Sequence, residues 1–160
     1  MNEIAAAAQF EQLGLFAFKP LFANFGQLEL TVIGGTWRAS FTGPGWLRVI
    51  APRGLFLLRF GGWWGKELQA NGSGVNLFQR GGKHFAAFPI TVKTGTSRLD
   101  GKPCLIVRYS KDAGFPWAHV IDELRRLDDD TLFGMTIFDL PGMRGFPLPF
   151  LLQRFPNALE

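Results

Sequence analysis

The chain has 160 residues and a formal net charge of +4, and it is 47% hydrophobic but only 19% charged. This balance excludes an intrinsically disordered chain, because the apolar content is high and the net charge is low. The single cysteine excludes a disulfide framework within the chain. The chain contains no uninterrupted apolar run of about 18 residues, so no membrane-spanning helix is predicted. The length predicts one domain over residues 1–160.

The first 26 residues predict a helical segment. Lys19 and Pro20 are expected to end or kink its main helix, because the residue before a proline avoids the helical region. We expect the helix to pack on a sheet or over the mouth of a barrel; contact with a membrane surface is the alternative, which the lack of a basic polar face weakens. Over residues 2–18, apolar side chains recur at roughly helical spacing at Ile4, Ala7, Ala8, Phe10, Leu13, Leu15 and Phe16.

Residues 34–155 predict an antiparallel, up-and-down β-barrel. Residues 36–42 alternate, with Trp37, Ala39 and Phe41 on one side. Glycine-rich turns recur at intervals near the 8–12 residues typical of such barrels, and a parallel sheet would need helices between its strands. The further predicted strands are 46–50, 63–69, 75–80, 84–93, 104–109, 131–138 and 150–155.

One helix is predicted before the last strands. Pro116 suits a first helical position, and the aspartates that follow Leu127 predict the end of the helix. The fold class expected is therefore mainly β, a barrel with an N-terminal helix and one inserted helix. The apolar spacing that predicts the inserted helix is i, i+3, i+4, i+7 and i+10 at Trp117, Val120, Ile121, Leu124 and Leu127.

The segment from Gly35 to Ala39 resembles the Gly-x-Trp-x-Gly opening of a family of small bacterial β-barrel proteins named after that motif. Residues 64–66, 127–134 and 149–154 are similar to further segments of the same family. The chain departs from the pattern at Ala39, which stands where the family has its second glycine, and in the proline-rich loop 142–149.

A Gly-x-Trp on the first strand is also similar to the calycin-like barrels of lipocalins, fatty-acid-binding proteins and nitrobindins. In those folds the tryptophan plugs one barrel end, and a basic residue from a late strand lies over its ring. The resemblance implies that Trp37 is the plug and Arg154 the cap, with Arg108 as the substitute. A guanidinium over an indole gains about 1–2 kcal/mol when it is partly desolvated.

Few side chains point to catalysis or metal binding. His84 and His119 are far apart and lack a metal-ligand spacing, and Cys104 is expected to be a buried, inert thiol. The aspartates at 128–130 lack the spacing of a calcium loop and predict a turn. We therefore expect no metal and no cofactor, and the sequence assigns no catalytic residue.

Tyr109 and Lys66 are the polar candidates for a ligand site. Alternation places Tyr109, the only tyrosine, on the inward side of its strand, where its hydroxyl needs a partner. Lys66 follows Trp64 by two residues, so the two side chains are expected on one strand face. Lys66 could present its ammonium to a carboxylate headgroup, or it could extend to solvent at the barrel rim.

The 17 phenylalanines and five tryptophans predict an apolar interior. A barrel of about eight strands is either filled with side chains or has room for one small ligand, and ligand sites are mostly apolar with a few polar groups. Phe88, Phe115 and Phe150 are the candidate lining residues, together with Trp64.

We expect this protein to bind a small hydrophobic molecule, such as a fatty acid, an aromatic compound or a terpenoid, inside the barrel and against the N-terminal helix. One alternative is a barrel enzyme of isomerase, cyclase or lyase type, in which Tyr109, Lys66 or a histidine moves a proton. Another is a homodimeric or membrane-associated accessory protein whose exposed phenylalanines form the contact.

Partners and location follow from charge and the N-terminal residues. Lysines and arginines are scattered, with only Arg125 and Arg126 adjacent, so nucleic acid is not an expected partner. Residues 1–8 lack a positive region and contain Glu3, which argues against a signal peptide. With a single thiol, this predicts a cytoplasmic protein.

Overall fold

Eight antiparallel strands, each hydrogen-bonded to the next along the chain, form a closed barrel in the computed structural model, which describes residues 9–156. The last strand pairs back onto the first, from Thr36 opposite Phe155 to Phe41 opposite Phe150. The predicted mainly β, antiparallel up-and-down barrel is therefore confirmed. The strands are β1 (Gly35–Phe41), β2 (Trp63–Leu68), β3 (Ser73–Arg80), β4 (Lys83–Thr96), β5 (Pro103–Tyr109), β6 (Val120–Arg126), β7 (Thr131–Phe138) and β8 (Leu148–Phe155).

The N-terminal segment covers the outer face of the barrel. Residues 9–11 are helical, Leu15–Ala17 form a 3-10 turn, and α1 spans Phe18–Phe22. These elements pack mainly on the outward side chains of β7 and β8, and only Phe16 of the 3-10 turn lies near Phe146 in the connection between these two strands. The cluster that they form contains Phe10, Phe18, Phe22, Phe133, Met135 and Leu151.

The expectation that Lys19 and Pro20 end or kink a helix is wrong, because both lie inside α1. Pro20 is the third residue of this short helix, and a proline is tolerated there because N–H groups in the first turn have no partner within the helix. Residues 2–8 of the predicted N-terminal helix lie outside the described residues.

A helix stands where residues 46–50 predict a strand. Helix α2 (Gly45–Leu57) connects β1 to β2, with Pro52 in its interior. The apolar side chains that face the barrel recur at helical spacing at positions 47, 50, 51, 54, 55 and 58. The short apolar run was ambiguous, because helix and strand are not distinguished by periodicity over five residues.

The helix predicted from Pro116 to Leu127 is also wrong, because β6 occupies most of it. Its residues pair with both neighbours, as Asp122 does with Val107 of β5 and with Thr136 of β7. Six of the seven residues of β6 are buried, since the barrel interior covers one face and neighbouring loops cover the other. A strand buried on both faces has no polar alternation, and its apolar positions then fit a helix equally well. Only the 3-10 turn Trp117–His119 is helical there.

The two ends of the barrel are built differently. At the plugged end, where β1 begins, Trp37 is buried and donates a hydrogen bond from Nε1 to the carbonyl oxygen of Ile33 (2.8 Å). The guanidinium of Arg154 lies 4.3 Å from the centre of the Trp37 ring and donates to the carbonyl oxygens of Gly34 and Val32. At the other end, called the lid end, α2 lies with the connections 110–119 and 139–147. No helix within residues 9–156 is long and apolar enough to cross a membrane.

Candidate functional site

A cavity of about 290 Å³ lies inside the barrel at the lid end. Helix α2 forms one of its walls, and aromatic side chains of the strands form most of the rest. Ile50 and Met143 belong to the lining and are also exposed to solvent, so the cavity reaches the surface between α2 and the connection 139–147. The barrel residues that line it are Phe41, Phe60, Trp63, Tyr109, Trp117, Asp122, Thr136, Phe138, Leu148, Pro149 and Phe150.

A buried polar network adjoins one wall of this apolar cavity. Lys66 Nζ lies 3.0 Å from Asp122 Oδ2, and it donates to Asn76 Oδ1 (2.8 Å) and to Tyr109 Oη (3.1 Å). Thr136 Oγ1 donates to Asp122 Oδ1 (2.7 Å), and the Tyr109 hydroxyl lies 3.4 Å from Asp122 Oδ2. Lys66 and Asn76 are completely buried, whereas Tyr109, Asp122 and Thr136 belong to the cavity lining.

Lys66 and Asp122 together carry no net charge, and each of the three ammonium protons of Lys66 has a partner. Burial is the largest influence on both titratable neighbours of Asp122. It lowers the pKa of Lys66, which the Asp122 carboxylate opposes, and it raises the pKa of Tyr109 well above its ordinary value. Tyr109 therefore stays a phenol at neutral pH and keeps a proton to donate.

A β-bulge in β2 decides which side chains of that strand enter the barrel. Trp63 lies opposite Phe78 and Gly65 lies opposite Leu77, so Trp64 has no residue of its own opposite it. The extra residue shifts the alternation, and Trp63 and Lys66 both point inward. Gly65 permits this approach of β2 to β1, because a Cβ there would lie 1.9 Å from the carbonyl oxygen of Trp37.

Trp64 consequently does not line the cavity, and its expected sharing of a face with Lys66 is wrong. Its half-buried ring lies on the outer surface, 5.0 Å from the His84 ring and 5.1 Å from the Phe155 ring. The inward tryptophan of this pair is Trp63.

The other predicted site residues divide between two places. Tyr109 and Phe150 lie in the cavity wall, and Lys66 lies directly behind it. Phe88 and Phe115 instead line a neighbouring surface groove between the end of α2 and the connection 110–119. Phe88 packs on the core rings from that side, and Phe115 is exposed.

The expected roles of Lys66 need correction as well. A lysine that extends to solvent at the rim is excluded, because the side chain is fully buried. A role in binding a carboxylate headgroup is disfavoured, because Asp122 already neutralises the ammonium and its three protons have partners. A second carboxylate would enter this apolar site with no opposite charge left for it.

Asp122, Asn76 and Thr136 were not among the predicted site residues. Asp122 falls within the segment predicted as a helix, whereas in β6 it lies inside the barrel between Val120 and Leu124. The available signal was a polar residue at an inward position of a strand, once the strand was recognised. The approach of N-terminal residues to the site was expected too, but those described, from position 9 onward, lie outside the barrel and α2 covers the cavity instead.

The remaining candidates lie away from the cavity. His119 is exposed, and His84 is half-buried against Trp64. Cys104 is buried. Within residues 9–156, no three His, Cys, Asp or Glu side chains are grouped so that they could hold a metal ion.

Comparison with known proteins adds evidence on the fold. No known protein family and no curated protein matches the sequence. Among solved structures, a crystal structure of a protein from Thermomonospora curvata is similar over 92% of this chain and 92% of that chain, with a TM-score of 0.69 and 18% identity. At this identity the likeness shows the fold alone.

Proposed function

We propose that this protein binds a small, neutral, mainly apolar molecule with a single hydroxyl or carbonyl group in the barrel cavity. The observation that supports this proposal is an apolar cavity of about 290 Å³ whose wall contains Tyr109, Asp122 and Thr136 at one place. Such a site buries most of a ligand and orients it with few polar groups.

The size of the cavity restricts the ligand. An apolar cavity of about 150 Å³ takes a benzene molecule, so 290 Å³ suits a ligand of about a dozen non-hydrogen atoms. An aromatic or terpenoid-like compound of this size fits better than a long-chain fatty acid.

The polar network restricts the functional group. Asp122 Oδ1 accepts one hydrogen bond, from Thr136, and a carboxylate oxygen has capacity for another. Tyr109 has a long 3.4 Å contact to Asp122 and can turn its proton to a ligand oxygen instead. A ligand hydroxyl can therefore donate to Asp122 while accepting from Tyr109, whereas a carboxylate is repelled by Asp122.

Three probe ligands test this proposal by calorimetry and thermal shift. We expect 4-propylphenol to bind at least ten-fold more tightly than propylbenzene, since a hydrogen bond to a charged group contributes about 1.5–3 kcal/mol. We expect 4-propylbenzoate to bind more weakly than either. Tyr109→Phe and Asp122→Asn should reduce the preference for the phenol.

A variant pair on α2 tests the location. Ala51→Phe fills the cavity from the lid and should abolish binding, whereas Val49→Phe on the outer, exposed side of the same helix should leave it unchanged. Absence of binding by all three probes, or equal binding by both variants, would contradict the proposal.

A second candidate function is proton transfer on such a ligand, favoured by the ionisable groups at the cavity wall. A buried ion pair is costly beside an apolar cavity, and perturbed ionisable groups are frequent at active sites. In this scheme the Asp122 carboxylate takes a proton from the carbon next to a ligand carbonyl, Tyr109 donates a hydrogen bond to the enolate oxygen, and the proton returns to a different carbon. A β,γ-unsaturated ketone would thereby become conjugated.

The test is the isomerisation of 3-cyclohexenone, followed by the absorbance of the conjugated product. A rate above that of the buffer, lost in Asp122→Asn and lowered about 100-fold or more in Tyr109→Phe, would support the second candidate. Binding of 4-propylphenol together with a buffer-level rate would leave binding as the function.

The calycin-like assignment is part of the same proposal. Trp37 on the first strand, covered by the guanidinium of Arg154 from the last, supports it. The likeness to the Gly-x-Trp-x-Gly family, which rests on residues 35–39, 64–66, 127–134 and 149–154, belongs to this proposal too.

A further inference from the structure

Large apolar side chains are exposed around the mouth of the cavity. On α2, Trp46 is 55% exposed, Phe56 73% and Leu57 81%. Leu57 lines the same surface groove as the exposed Phe115, which extends the apolar surface to the connection 110–119. Only Leu47 of the thirteen residues of α2 is buried.

The apolar surface continues on the other side of the mouth. Ile50 of α2 and Met143 meet at the cavity opening, and both are exposed. Phe146 follows in the same connection and lies 6.1 Å from the exposed ring of Phe16. A patch of this kind on a single chain marks a surface that another molecule covers.

Basic side chains outnumber acidic ones around this patch, where the exposed Asp112 lines the same groove as Arg59 and Leu57. Residues 30–66 contain no aspartate or glutamate, and Arg48, Arg53 and Arg59 lie on α2 or directly after it. Arg48 pairs with Glu11, as Arg144 in the connection 139–147 pairs with Asp139. Within residues 9–156, Arg53 and Arg59 are in none of the ion pairs.

Arginines pair with the acidic turn at the plugged end. The turn between β6 and β7 contains three consecutive aspartates, at positions 128–130, and Asp129 pairs with Arg126 while Asp130 pairs with Arg154. At the lid end, Arg53 and Arg59 lie beside exposed apolar side chains and outside the ion pairs of residues 9–156, which directs this end toward an anionic surface.

From these observations we infer that the lid end docks on the surface of an anionic membrane. Trp46, Phe56 and Leu57 enter the boundary between headgroups and acyl chains, and Arg53 and Arg59 contact anionic headgroups. A second copy of the chain fits this surface less well, because a two-fold contact through α2 would place arginines against arginines. The cavity mouth then faces the membrane, and a hydrophobic ligand reaches the cavity without crossing water; this last consequence alone rests on the proposed function.

Sedimentation with lipid vesicles tests the docking on the full chain without added ligand. We expect binding to vesicles of phosphatidylcholine with 30% phosphatidylglycerol and little binding to phosphatidylcholine alone. Phe56→Ser/Leu57→Ser should weaken binding ten-fold or more, because apolar area is lost. Arg53→Gln/Arg59→Asn should weaken it about 30-fold, at about a factor of five for each basic residue; asparagine suits the positive φ of 63° at position 59.

Matched controls use residues away from the lid end. Val32→Ser/Arg38→Gln removes an exposed apolar side chain and an exposed arginine near the plugged end and should bind like the parent chain. Quenching by brominated lipids should fall in Trp46→Phe, which reports whether Trp46 enters the bilayer. Circular dichroism of every variant verifies that it is folded.

Three outcomes would overturn the inference. They are the absence of vesicle binding, equal binding to both vesicle types, and equal effects of the control and lid-end variants. A dimer in sedimentation velocity that dissociates in Phe56→Ser/Leu57→Ser, without vesicle binding, would identify a second copy as the occupant and overturn it too. The 4-propylphenol measurement is made without vesicles, so failure of docking and failure of ligand binding are distinguishable.

Discussion

Arg154 and Trp37 form the contact that closes the plugged end. The guanidinium stacks on the indole and binds two carbonyl oxygens of the chain entering β1. Arg154→Met should lower the free energy of unfolding by about 2 kcal/mol, from a cation–π contact of about 1–2 kcal/mol and partly exposed hydrogen bonds. Urea denaturation measures the change.

Arg38→Met is the control for that prediction. Arg38 is exposed and lies opposite Gln153 on the same strand pair, so its replacement should change stability by less than about 0.5 kcal/mol. Equal losses in the two variants would show that the ring contact contributes nothing.

The Cys104 thiol should be unreactive in the folded protein. Burial, followed by the nearby Glu123 carboxylate, raises its pKa to about 12. The thiolate population at pH 8 is then about a thousand-fold lower than for a free cysteine. Ellman's reagent should therefore label the chain rapidly in urea and hardly at all without it; fast labelling of the folded chain would contradict the pKa shift.

Single residues show how far the site could be predicted. Strand alternation was sufficient for Tyr109, and a position beside a predicted loop for Phe150; both reach the cavity. Alternation placed Trp64 on the wrong face, because one bulged residue in β2 exchanges the inward and outward positions of the residues before it. A bulge depends on the pairing with β3, which alternation within one strand does not reveal.

Of the two described α-helices, α2 has the smaller share of buried residues. Only Leu47 is buried in it, and Pro52 removes one of its internal hydrogen bonds. Few buried contacts imply local opening at low free energy.

Hydrogen exchange followed by mass spectrometry should therefore show α2 amides exchanging at least ten-fold faster than those of β5, which is hydrogen-bonded to β4 on one side and to β6 on the other. Bound 4-propylphenol should slow exchange in α2 and leave β5 unchanged. Protection of α2 equal to that of β5 would contradict its role as a movable lid.

The sequence predicted the wrong type of element for β6 and for α2. The glycine-punctuated strands β2 to β5 were recognised, because glycine-rich turns bound them. β6 was taken for a helix, since burial on both faces removes its polar alternation. α2 was taken for a strand, although its cavity-facing positions have helical spacing.

For the whole molecule, Arg125 connects three parts of the chain. It is buried in β6, binds both carboxylate oxygens of Asp100 (2.5 and 2.8 Å), and donates to the carbonyl oxygen of Phe22 in α1 and to that of Pro103. The hydrogen bonds from Arg125 lower the pKa of Asp100 to about 2.

This contact makes stability pH-dependent in acid. The pKa of Asp100 is lower in the folded chain than its value of about 3.9 in an unfolded one, so the stabilisation is complete above about pH 4 and lost as the pH falls through about 2. Asp100→Asn should lack this dependence, which amounts to about 1 kcal/mol after solvent screening.

Urea midpoints at pH 7, 4, 3 and 2 measure that difference. Asp112→Asn, which removes an exposed aspartate, should retain the parent chain's dependence. A loss of stability between pH 4 and 2 as large in Asp100→Asn as in the parent would show that this ion pair does not determine it.

Local signals in the amino-acid sequence, namely turn glycines, alternation and composition, were enough to predict the barrel class and the aromatic interior, because each acts over a few residues. The pairing of Trp37 with a late-strand arginine was expected from the resemblance to calycin-like barrels. The closed barrel was needed to show that Lys66 and Asp122, 56 positions apart in the chain, form a buried pair at a cavity covered by α2. That pair depends on strand register and on which faces are covered twice, and both are properties of the closed barrel.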